Sequence, residues 1–71
     1  MNELTFQVEP DEDGGYVASS KLATGSIITQ GDTMDELKEM IKDAIEGYFF
    51  DKPDEMPRLV RLQINETFAL A

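Results

Sequence analysis

The chain contains no cysteine, no histidine and no tryptophan. Without cysteine, no disulfide can staple the fold and no thiolate can hold zinc. Without histidine, the commonest metal ligand and the side chain best suited to proton transfer at neutral pH are both missing. Bases are scarce too: six Lys and Arg face fifteen Asp and Glu, a net charge of −9. Such a surface repels a phosphate backbone, so no direct nucleic acid binding is expected. It suits a basic partner, and equally it keeps a small protein in solution. No apolar run approaches the roughly 20 residues that span a bilayer. The start, MNELTFQVEPDED, has neither a basic head nor an apolar signal core. The expected location is cytoplasmic, with no membrane partner. Seventy-one residues make one domain, 1–71, whose small core is marginal unless self-association helps.

What is present is organised around one stretch, QGDTMDELKEMIKDAIEGYFF, from Gln30 to Phe50. Met34, Leu37, Met40, Ile41, Ala44, Ile45 and Tyr48 recur at spacings of three and four, which predicts a helix with one apolar stripe. Met34 and Met40 are read as core filler. The opposite face carries Asp35, Glu36, Glu39, Lys42, Asp43 and Glu46. Thr33 and Glu36 have the spacing of a capping box, and Asp32 and Asp35 add negative charge at the positive end of the helix dipole. Gly31 is expected to let the entering chain turn sharply. Pro53 bounds the far end.

Before the helix the period is two. Leu4, Phe6 and Val8 alternate with polar residues, Pro10 ends the run, and Asp13-Gly14-Gly15 supplies a turn. A second strand is expected over 16–22, and a third over 26–30. The segment 51–57 reads as a loop, broken by two prolines. From Arg58, Val60, Leu62 and Ile64 alternate again as a fourth strand, which the apolar tail 67–71 could extend. The order is β-β-β-α-β. A helical crossover returns the last strand parallel, beside the first. The expected fold class is α+β: a two-layer domain whose four-stranded mixed sheet has the order 3-2-1-4, with one helix on one face.

Candidate chemistry is sparse. Asp11-Glu12-Asp13-Gly14 hints at a calcium loop, but the sixth and twelfth positions counted from Asp11 are Tyr16 and Leu22, where Gly and Glu are needed. A serine nucleophile at Ser19 or Ser20 would have only Lys21 or a carboxylate as base, so both are read as exposed strand residues. Tyr16, Tyr48 and Arg61 are the few side chains that hint at a small-ligand pocket. No catalytic residue, metal or other cofactor is expected.

The segments DGGYVA (Asp13 to Ala18) and TQGDTMDELKEMIKDAIEGYF (Thr29 to Phe49) resemble the HicB antitoxin family. The shared pattern is acid-Gly-Gly-aromatic-Val-Ala, then Gly31-Asp32-Thr33, then Asp43-Ala44-Ile45-Glu46. Residues 3–50 carry the likeness. Leu22-Ala23-Thr24-Gly25 departs from the family's Leu-Pro-Gly turn. The resemblance implies a partial ribonuclease-H-like fold. It raises two-metal hydrolysis, but Thr5, Gln7, Glu3 and Glu9 on the central strand offer no converging set of acids. It also implies a non-enzymatic module whose partner is a small basic ribonuclease of the HicA type, masked sterically and electrostatically. Many such antitoxins add a DNA-binding module, for which a chain ending at Ala71 has no space. The residues expected at the partner are Asp11, Glu12 and Asp13 in the turn, with Glu39, Asp43 and Glu46 on the helix. The alternative is an orphan homo-oligomer that binds a small ligand or serves as an accessory subunit.

Self-association is expected on independent grounds. Tyr16 stands beside Val17, Ile27 beside Ile28 and Leu59 beside Val60. Neighbours on a strand point to opposite faces, and one helix covers only one. A homodimer through Ile27, Leu59, Phe68 and Leu70, either at the bare sheet face or at a strand edge with the tail across it, would cover these residues.

Overall fold

The computed structural model describes residues 2–70; the last residue of the expected tail, at 71, lies outside them. Strands β1 (Glu3–Pro10), β2 (Tyr16–Leu22) and β3 (Gly25–Gly31) form an antiparallel meander. Helix α1 (Met34–Tyr48) follows, then a 3-10 turn (Pro53–Glu55) and β4 (Leu59–Ile64). The sheet order is β3-β2-β1-β4, with β4 parallel to β1. This is the α+β architecture that the periodicity predicts. The third strand is one residue longer at each end than expected. The segment 51–57 is less irregular than expected, because Pro53 sits at the first position of the 3-10 turn, where its missing N–H costs nothing.

The core lies between α1 and one sheet face. Leu4, Phe6 and Val8 of β1, Ala18 of β2 and Ile27 of β3 meet Leu37, Ile41 and Ile45 of the helix, with Phe49 just past its end. Burying each large side chain contributes about 1.5–3 kcal/mol. Met34, Ala44 and Tyr48 flank this cluster half-buried. Met40, expected in the core, is exposed. It sits three residues after Leu37, at the edge of the stripe, and the buried series steps in fours from Leu37 to Ile41, Ile45 and Phe49.

At the helix start the Thr33 half of the capping box forms as expected, while the Glu36 carboxylate reaches one residue past the cap. Thr33 Oγ1 accepts from Glu36 N at 3.1 Å, and the Glu36 carboxylate accepts from Asp32 N at 3.4 Å. The role of Gly31 differs from the expected one: it is a matter of room, not of φ. A Cβ there would stand 2.5 Å from Leu37 N. Positive φ belongs to the β1–β2 turn, at Gly14 (99°) and Gly15 (79°). The helix end is fixed by Tyr48, whose hydroxyl is hydrogen-bonded to Thr24 Oγ1 at 2.7 Å and whose ring meets Phe49 edge-on.

The second sheet face is mostly polar. Gln7 Nε2 donates to Gln63 Oε1 at 2.8 Å, Asn65 Nδ2 donates to Gln7 Oε1 at 3.0 Å, and Arg61 pairs with Glu3 at 3.2 Å. Ser20, expected on the surface, is buried on the helix side and donates to Thr5 O at 2.8 Å. It shares that side with Ala18 because strand residues alternate. Residues 65–70 form no strand, so the tail does not extend β4 in the isolated chain.

Candidate functional site

Among the described residues, an acidic cleft and an apolar one with a basic rim flank α1. The acidic one follows from the strand register. Tyr16 pairs with Gly31, so the β1–β2 turn lies beside the start of the helix. The turn is held by Asp11 N donating to Gly15 O and Gly14 N donating to Asp11 O, both at 3.0 Å. Gly15 has to be glycine, since a Cβ there would meet Gly31 O at 2.6 Å. The result is a cleft of about 560 Å³ in which Asp11 and Asp13 from the turn face Asp32 and Glu36 from the helix start, with Tyr16 and Met40 in its wall.

The four carboxylates concentrate negative charge without forming a metal cage. Among the described residues, no three acids approach closely enough to hold an ion. Such a patch can attract a cationic surface. Tyr16 and the exposed Met40 supply apolar contact beside the charge.

The six acids expected at the partner do not form one site. Asp11 and Asp13 line the cleft and Glu12 is exposed on the same turn. Glu39 and Asp43 are exposed on the helix outside both clefts, and Glu46 lines the other one. Asp32 and Glu36 join the cleft instead. The capping role of Glu36 and the dipole charge of Asp32 were legible in the sequence; their position opposite the turn depends on the β2–β3 register. Tyr16, Tyr48 and Arg61 are also dispersed, at the acidic cleft, at Thr24 and at Glu3 respectively.

The other cleft, about 430 Å³, lies between α1 and β4. It exists because α1 leans over β3 and β2 and leaves the inner side of β4 uncovered. Ile41, Ile45, Met56, Val60 and Leu62 form its floor, and Lys38, Lys42 and Arg58 stand around it. The sequence signal for this rim is the i, i+4 spacing of Lys38 and Lys42.

Of the residues expected at an oligomer interface, Ile27 is 6% exposed and belongs to the core, whereas its neighbour Ile28 is 70% exposed. The pair does split between the faces, with the members reversed, because Ile27 aligns with the buried Ser20. Leu59, Phe68 and Leu70 are exposed.

No helix among the described residues is long and apolar enough to cross a membrane. The chain is similar to a UPF0150 protein of Thermotoga maritima, 51% identical over 49 residues that cover 69% of this chain and 67% of that protein. It is also similar to a UPF0150 protein of Archaeoglobus fulgidus, 44% identical over 59 residues, 83% of this chain and 82% of that one. No family model matches the chain, and no solved structure matches it.

Proposed function

The chain belongs to the UPF0150 family, and on that premise we propose that it is a non-enzymatic protein-binding module of the HicB antitoxin kind. The observation that carries this reading is the acidic cleft, where Asp11, Asp13, Asp32 and Glu36 surround Tyr16 and Met40. The resemblance over Asp13 to Ala18 and Thr29 to Phe49 supports it further, because its Asp-Gly-Gly and Gly-Asp-Thr motifs build the two walls of that cleft.

The partner is a small basic ribonuclease of the HicA type. The cleft docks on its RNA-binding face, and neutralisation is steric and electrostatic. Opposite potentials speed encounter and disfavour wrong partners. The acids need no chemistry of their own in this role. The experiment is a pull-down at low salt with the product of a neighbouring short, basic, histidine-containing reading frame. Capture followed by loss of that protein's ribonuclease activity is expected; no binding would sink the reading.

A further inference from the structure

We propose that the groove between α1 and β4 receives residues 65–70 of a second copy of this chain, paired along the free edge of β4. Three observations meet here. The first is charge. Three of the chain's six Lys and Arg (Lys38, Lys42 and Arg58) surround this groove, whereas only one of its fifteen acids, Glu46, does so. In a chain of net charge −9, that concentration fits an occupant that is apolar and acidic.

The second observation is the strand edge. β4 closes the sheet on the groove side, so one row of its backbone N–H and C=O groups is unpaired. An extended chain can use that row and place alternate side chains in the groove. A compact small molecule would use only the apolar floor.

The third is the tail itself. After Asn65 N donates to Val8 O, the chain leaves the sheet, with Phe68 and Leu70 82% and 93% exposed. The molecule measures 49 × 19 × 19 Å, and its radius of gyration is 13.2 Å, against about 11 Å for a compact chain of this length. Glu66, Phe68 and Leu70 alternate, so all three side chains fall on one face of an extended segment. The tail is thus an apolar, acidic arm of the kind the groove fits.

The arm serves a second copy rather than its own groove. Folding back with Phe68 and Leu70 in the groove would need a three-residue turn, Asn65-Glu66-Thr67, with the β-branched Thr67 at the left-handed position that favours Gly. A two-fold axis near Asn65 makes both exchanges at once. Antiparallel pairing about that axis sets Leu70 of the second copy beside Val60, Phe68 beside Leu62 and Glu66 beside Ile64. Facing residues share a side of the sheet. Val60 and Leu62 line the groove, so Leu70 and Phe68 enter it. Glu66 comes to the end where α1 begins, near Lys38.

This contact is independent of any toxin, and its test contains none. By sedimentation equilibrium at micromolar concentration, the full chain should run at twice its 8.0 kDa mass. Phe68→Ser with Leu70→Ser should return it to the monomer mass with an unchanged circular dichroism spectrum, since neither side chain belongs to the core. Because the chain has no cysteine, single Val60→Cys and Leu70→Cys variants can be mixed under oxidation, one of them isotope-labelled. Mixed disulfides should predominate. A chain that stays monomeric would leave the groove to a different occupant and overturn the proposal. So would Val60→Cys homodimers in excess, or a dimer indifferent to the Phe68 and Leu70 changes.

Discussion

Gly31 and Leu37 stand so close that a Cβ on Gly31 would lie 2.5 Å from the Leu37 backbone nitrogen and 2.7 Å from its Cα. Both contacts are to backbone, so no side chain can rotate away. The last residue of β3 and the first buried turn of α1 thereby fix the distance between the layers. Gly31→Ala is expected to cost about 1–3 kcal/mol, the usual range for overpacking. Urea unfolding measures it, and a loss below ~0.5 kcal/mol would mean that the helix start shifts freely.

The two turn glycines should differ from each other. Both have positive φ, but a side chain at Gly14 meets open space, whereas one at Gly15 meets Gly31 O at 2.6 Å. Gly14→Ala is expected to cost about 1 kcal/mol for the backbone alone. Gly15→Ala should cost clearly more, and it should also displace the turn from the helix start. Equal midpoints for the two variants in denaturant would contradict this.

Ser20 is buried and ties β2 to β1. Its hydroxyl takes the Thr5 carbonyl from the helix side of the sheet. Ser20→Ala should lower stability by about 1 kcal/mol, the net value of one such bond. It should leave partner binding unchanged in the same pull-down, whereas a serine required for chemistry would abolish function without touching stability.

The cleft acids should matter more to a basic partner than the other helix acids. Asp13→Asn with Asp32→Asn should slow association several-fold. Glu39→Gln with Asp43→Asn should change it little, since neither residue lines the cleft. Stopped-flow association at low salt separates them, and equal effects would argue for diffuse charge alone.

Salt should act in opposite directions on the two contacts. The Debye length falls from ~30 Å at 0.01 M to ~8 Å at physiological strength. Association with a basic partner should slow over that range. Self-association of chains carrying −9 each should tighten, because screening weakens their mutual repulsion. An association with a basic partner that did not slow over that range would argue against the acidic cleft as its docking site, and self-association that weakened would mean that the Lys38, Lys42 and Arg58 rim outweighs the overall repulsion.

Periodicity in the sequence determined the elements and, through them, the topology. Leu4, Phe6 and Val8 at period two and Leu37, Ile41 and Ile45 at the helical period each have one face that must be buried. A helix between a third and a fourth strand then leaves few ways to close the sheet. Capping at Thr33 was legible for the same reason: it is local, set by residues three apart. What periodicity could not carry was distance between layers and lateral position. Whether Ile27 or Ile28 faces the helix depends on a one-residue choice of register, which the short run from Ser26 to Gln30 does not fix. That Asp11 and Asp13 meet Asp32 and Glu36 depends on Tyr16 pairing with Gly31. Only the tertiary structure decided that α1 leans toward β3 and β2. Gly31 has no side chain to hold the helix off β3, and nothing of equal closeness draws it over β4. That asymmetry opens the basic, apolar groove on one side of the helix and leaves the acidic cleft on the other.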